Sequence, residues 1–148
     1  MLDDYRELID LLAHALPQLR DAAAAAGEPS GDEWSAAQIC GHLAATEALY
    51  LGWLNDLMQR PDPLLRAPSA AYFAEQEQLQ QQSAEDSLNN FANSRGDTIS
   101  LLMGLSLRDW ERPGIMEERG NAVTLSQVVE EVVDHDADHL AQLRGLAA

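Results

Sequence analysis

The stretch Asp134-His135-Asp136-Ala137-Asp138-His139, close to the C-terminal end of the chain, decides how the rest is read. Two histidines four positions apart in a helix lie one turn apart on one face, because that spacing rotates the side chain only about 40°. Imidazoles presented in this way hold a transition-metal ion when a third ligand comes from elsewhere. The flanking residues predict the helix, from near Thr124 to about Arg144. Thr124-Leu125-Ser126-Gln127 caps its start, and Leu125, Val128, Val129, Val132, His135, His139, Leu143 and Leu146 follow one apolar stripe. Both histidines therefore point inward, while Glu130, Glu131, Asp134, Asp136 and Asp138 crowd the remaining faces.

A third histidine falls in a second predicted helix. Trp34-Ser35 opens it, with Ser35 as N-cap, and Pro61 and Pro63 stop it after about Gln59. Ile39, Leu43, Leu49, Tyr50, Trp53, Leu54 and Leu57 form its stripe, and His42 lies within it. A core-facing histidine needs hydrogen-bond partners or a metal. Taken alone, His42 reads as a satisfied core histidine sooner than as a ligand, since one histidine meets no ligand count. Cys40 lies about 200° around the helix from His42 and is read as a small packing residue. His14 falls beside Asp10 on the polar flank of the first helix and reads as solvated.

The first helix spans residues 2–26, on the spacing of Leu2, Tyr5, Leu8, Ile9, Leu12, Leu16 and Leu19. Pro17 should kink or interrupt it. Gly27 to Asp32 is a turn-rich break, and Arg60 to Pro68 is a proline-rich connection. Ala70 to Gln82 is helical but polar, which predicts a solvated segment. Ser83-Ala84-Glu85-Asp86 then starts the third bundle helix, with Leu88, Phe91, Ile99, Leu102, Met103 and Leu105 as its buried face. Ser106 to Val123 reads as a long loop covering something. Four principal helices with long connecting loops predict an all-α, up-down four-helix bundle, a single domain over residues 1–148.

Composition narrows the function. The 148 residues carry a formal charge of −16, and all nine basic residues are arginine. Such a balance repels phosphate backbones and anionic lipid, so neither nucleic acid nor a membrane is an expected partner. One cysteine forms no internal disulfide and suits a reducing compartment. No stretch approaches the roughly 20 apolar residues that span a bilayer. The acidic N-terminus does not resemble a signal peptide, and a cytoplasmic location is expected.

His42, His135 and His139 form a plausible facial set between two helices. Three neutral imidazoles leave an open position, which is catalytic rather than structural geometry, able to make a hydroxide or bind a thiol. No Glu follows His135, so the HExxH protease motif is absent. Glu47, about one turn past His42, is a candidate general base, although a solvated helix glutamate is the more ordinary reading. Glu131, one turn before His135, is placed to accept its second ring proton. Trp34, Trp53 and Trp110 read as packing residues.

Several motifs together resemble the DinB-like (DinB/YfiT-type) metal-binding four-helix bundles. These are Trp34-Ser35 through His42-Leu43, Ser83 to Arg95, Asp109-Trp110, Thr124-Leu125, and His135 through His139 to Gln142-Leu143. The resemblance implies a bundle of that type, with His42, His135 and His139 as ligands of one divalent transition metal, zinc or nickel. Asp138 and Val132 stand where relatives often have further histidines. It also implies a small-molecule substrate, a homodimer, and metal-dependent hydrolase or low-molecular-weight thiol-dependent transferase activity. A non-catalytic, dimerising metal-binding module in stress response is the alternative. The acidic surroundings of His135 and His139 count against an anionic thiol.

Overall fold

A computed structural model describes residues 2–146, the side chain of Leu2 lying outside the described set. Among the described residues are five α-helices: α1 (Leu2–Ala25), α2 (Ala36–Gln59), α3 (Ala70–Gln80), α4 (Ala84–Met103) and α5 (Leu125–Gly145). Three short strands, β1 (Leu64–Leu65), β2 (Pro113–Met116) and β3 (Ala122–Thr124), form one small sheet. β1 pairs parallel with β2, and β2 antiparallel with β3.

The expected four-helix bundle is formed by α1, α2, α4 and α5, although its helices do not alternate in direction throughout. Helix α1 packs on α4 and α5, and so does α2, whereas α1 and α2 barely touch and lie diagonally. Two core clusters mark its ends. Leu19, Ile39, Leu88 and Leu143 meet at one end. Tyr5, Leu57, Leu102 and Leu125 meet at the other. α1 and α5 therefore run one way, and α2 and α4 the other. A chain that repeats a direction must return between α2 and α4, and β1 with α3 makes that return.

The caps expected at Ser35 and Thr124 are full capping boxes, with Gln38 and Gln127 reaching back. Cys40 is fully buried and His14 is exposed, as read from the sequence. Four expectations need correcting. Pro17 does not break α1, which is continuous. The carbonyl it leaves free belongs to Ala13, and both residues are exposed, so solvent has access to that oxygen. Met103 is 73% exposed, because it sits one residue past buried Leu102 and turns about 100° away.

The segment 106–123 is not a plain loop. It carries a short 3-10 turn at Asp109–Glu111 and most of the β2–β3 hairpin. Trp110 is buried there and stacks on Tyr5 with ring centroids 4.4 Å apart. The Tyr5 hydroxyl donates to Glu111 at 2.6 Å, a bond that pushes its pKa up to about 12. Nor is the 70–82 segment merely solvated. Leu79 is buried, and Gln80 donates to the Gln38 carbonyl at 3.1 Å. Gly41 permits this approach: a Cβ there would stand 2.6 to 2.8 Å from the backbone of Leu79 and Gln80.

The centre of the bundle is charged. Arg95 of α4 is 2% exposed and donates in paired bonds to Glu47 of α2 (2.8 and 2.9 Å) and to Asp136 of α5 (both 2.9 Å). It also donates to the Leu12 carbonyl of α1 at 2.8 Å, so one guanidinium ties all four bundle helices together. Thr98 donates to Glu47 at 3.0 Å, and the guanidinium lies 4.6 Å from the Phe91 ring centre. Burial alone would lower the Arg95 pKa, but bonds to both carboxylates hold it above the usual arginine range. Burial pushes Asp136 up against the opposing pull of Arg95. Glu47 and Asp136, read from sequence as solvated acids, are 2% and 6% exposed.

Two stability predictions follow from this packing. Arg95→Met would leave two buried carboxylates without their cation, and should cost about 3–5 kcal/mol in chemical denaturation. A loss under about 1 kcal/mol, the range of exposed pairs, would show that the cluster is solvated. Gly41→Ala should push α3 from α2 at a cost of about 1–3 kcal/mol. An unchanged denaturation midpoint would mean that α3 is not seated on α2.

Candidate metal centre

The three histidines singled out by helical phase are brought together. His42 arrives near the start of α2, and His135 and His139 from adjoining turns of α5. Their nearest ring nitrogens all lie within 4.8 Å of one another, and all three residues are half-buried. His135 Nε2 stands 3.0 Å from His42 Nε2 and 3.1 Å from His139 Nε2.

The outer nitrogens are also fixed. His42 Nδ1 lies 2.6 Å from Gln76 Oε1, and His139 Nδ1 lies 2.7 Å from Gln142 Oε1. An amide oxygen only accepts, so both Nδ1 atoms carry a proton, and in the uncharged form of either ring Nε2 presents its lone pair. His135 Nε2 can donate to one of them at most. At least one close pair therefore sets lone pair against lone pair, an arrangement that a cation relieves. The separations also suit neighbouring nitrogens on one ion with bonds of about 2.0–2.1 Å. The residues present fit a divalent metal.

Electrostatics agrees with that fit. Burial first, then the neighbouring His139, His42 and Arg95 charges, push the His135 pKa down to about 3. Burial also lowers that of His42, opposed by its bond to Gln76. Near neutral pH both rings are held uncharged, the form that ligates.

Gln76 belongs to α3 and is steadied by Tyr72, whose hydroxyl donates to the same oxygen at 3.0 Å. Thr46 Oγ1 lies 2.7 Å from that hydroxyl. The Trp34 ring tilts against His42 at 5.4 Å, and Tyr50 meets His135 edge-on at 5.6 Å. Sequence reasoning missed Gln76 and Tyr72, and quoted Gln142 within the C-terminal motif without giving it a role. Gln142, three residues after His139, carries a helical-spacing signal, whereas Gln76 carries none.

Beside the histidines lies a cavity of about 240 Å³, walled by Thr46, Tyr50, Trp53 and Tyr72. The hairpin closes it with Met116, Glu118 and Arg119, and α5 adds Glu131. Larger hollows of about 380 and 440 Å³ exist, but no histidine of the trio lines them. Glu47, the candidate base, does not line this cavity, and both its oxygens are taken by Arg95 and Thr98. Glu131 pairs with Arg119 at 3.4 Å, a bond given to the hairpin rather than to a histidine.

Comparison with solved structures places the fold. YfiT from Bacillus subtilis, described as a probable metal-dependent hydrolase with an unusual four-helix bundle topology, superposes with a TM-score of 0.86 at 18% identity, covering 99% of this chain and 87% of that one. A mycothiol-dependent maleylpyruvate isomerase matches with a TM-score of 0.75 at 14% identity over 94% of this chain. This chain spans 60% of that isomerase. Comparison with curated proteins finds no match. Residues 2–143 match the DinB superfamily family model, and the chain belongs to that superfamily.

Proposed function

We propose that the protein is a metal-dependent enzyme holding one divalent ion, zinc or nickel, on His42, His135 and His139. It acts on a small molecule through an activated water or low-molecular-weight thiol, as a hydrolase or thiol-dependent transferase. The observation that carries this reading is the convergence of three Nε2 atoms, two of them locked as lone-pair donors by Gln76 and Gln142. The comparisons support it: one similar structure is a probable metal-dependent hydrolase, the other a mycothiol-dependent isomerase.

Three protein ligands, rather than four, favour chemistry over a structural role. A divalent ion supplies Lewis acidity, lowering the pKa of a water or thiol that shares the site. The protein does the rest. His42 and His135 line the cavity, so a ligand entering it reaches the histidines directly. Tyr50, Trp53 and Tyr72 wall it with aromatic surface. Burial, and next the Glu131 charge, push the Tyr50 hydroxyl pKa up, and burial does the same for Tyr72. Both hydroxyls stay protonated near neutral pH; Tyr72 gives its proton to Gln76, and Tyr50 can donate a hydrogen bond to a substrate oxygen.

Elemental analysis of untagged protein purified without chelator should find about one transition-metal ion per chain, and His42→Ala should lose it. A wild-type protein that stays metal-free after reconstitution with zinc and with nickel would overturn the proposal. Gln76→Leu, which keeps the ligands but frees the His42 ring, should weaken metal affinity about 10–100-fold in a chelator competition. Unchanged affinity would mean that α3 has no part in the site.

A further inference from the structure

Arg119 is the one cationic side chain lining the cavity among the described residues. We propose that it is the substrate-recognition residue and selects small molecules that carry a carboxylate. The inference rests on the metal-dependent activity proposed above, whose reacting group would sit at the histidine end of the same cavity.

The backbone beneath Arg119 is firmly held. It lies at the tip of the β2–β3 hairpin, where Gly120 adopts a φ of +70° and donates to the Met116 carbonyl at 2.7 Å. Met116 is buried in the core, and Glu117 accepts from Arg66 (3.2 Å) and from the Ala67 backbone (3.0 Å). The side chain above is not held. It makes one long polar contact, a guanidinium nitrogen 3.4 Å from Glu131, with the two side chains 58% and 37% exposed. A charge-assisted bond is normally about 2.7–2.9 Å, and an exposed pair of this kind gives way easily. Arg95, by contrast, is committed on three sides inside the core.

The same pair shows what Arg119 accepts. Glu131 also lines the cavity, so its carboxylate stands in for a ligand's carboxylate at that wall. An incoming carboxylate would take the planar guanidinium fork in two bonds, where Glu131 makes one long contact. The acids at the rim do not make the cavity a cation site, because a divalent ion on the histidines repels a second cation nearby. Its volume of about 240 Å³ holds roughly eight water molecules, which limits the buried part of a ligand to a small molecule.

The test is calorimetric titration of zinc-loaded protein with succinate, dimethyl succinate and inorganic phosphate, checked by fluorescence of Trp53 on the cavity wall. Arg119→Gln and Arg119→Lys are titrated in parallel, with zinc content measured for each. Succinate should bind and its neutral ester should not. Arg119→Gln should weaken succinate at least about tenfold without changing zinc content, and Arg119→Lys, which keeps the charge and loses the fork, should fall between. Equal binding of acid and ester, succinate binding unchanged in Arg119→Gln, no succinate binding by the loaded wild type, or tighter Arg119-dependent binding of phosphate would each overturn the assignment. A wild type that takes up no zinc or nickel sinks the metal reading itself, and this inference with it.

Discussion

One guanidinium in the middle of the bundle sets the geometry on which the rest depends. Helices that meet only through leucine and valine can slide or rotate by small amounts at little cost, since such contacts are non-directional. Arg95 removes that freedom, because its paired bonds to Glu47 and Asp136 are directional and its bond to the Leu12 carbonyl fixes α1 as well. Stability alone does not explain such a cluster, since apolar residues of similar volume often serve a core equally well. Position explains it better. Glu47 lies five residues past His42, and Asp136 directly follows His135, so the clamp grips the two ligand-bearing helices at the level of the histidines.

The histidine cluster was legible because it obeys a periodicity. His42, His135 and His139 each fall on an apolar stripe, and a four-residue spacing places two of them on adjoining turns. The clamp lies on the same periodicity, with Arg95 between Phe91 and Leu102, Glu47 between Leu43 and Tyr50 and Asp136 between Val132 and Leu143. Charged residue types argue for solvent, however, and that hid it. Arg95 lies in a stretch of α4 rich in Asn, Ser and Asp, where an arginine looks solvated, and its partners are 48 and 41 positions away. Glu47 and Asp136 looked like surface acids for the same reason. Helical phase tells which way a side chain points, but not which charge comes to meet it from another helix. The base role considered for Glu47 fails on that ground: its carboxylate is spent on the clamp and has no access to the cavity.

The connections were the least legible part, because their order comes from partners rather than from their own pattern. Helix α3 is too polar to predict a buried face, yet it holds the His42 ring through Gln76. It reaches that position because Gly41 on α2 leaves room for a backbone where any side chain would collide. The glycine and the glutamine are 35 positions apart and carry no shared motif. Strand β1 is only two residues long and gains its meaning from pairing with β2, about fifty residues later. A reading by windows sees a proline-rich linker and a loop there, whereas the fold joins them into a sheet that closes the cavity.

Charge acts on this site at two ranges. A net charge of −16 creates a field that draws in a divalent cation and repels anions. At physiological salt that field fades over about 8 Å, so inside the cavity the groups on its own walls decide what is held. There burial holds the His135 and His42 rings uncharged, the clamp's carboxylates are turned toward Arg95, and Glu118 and Glu131 share the wall with Arg119. A filled metal site would make the inner end positive. The acidity that seemed to count against an anionic partner would then be opposed at the inner end by the ion and, beside Glu118 and Glu131 on the wall, by Arg119.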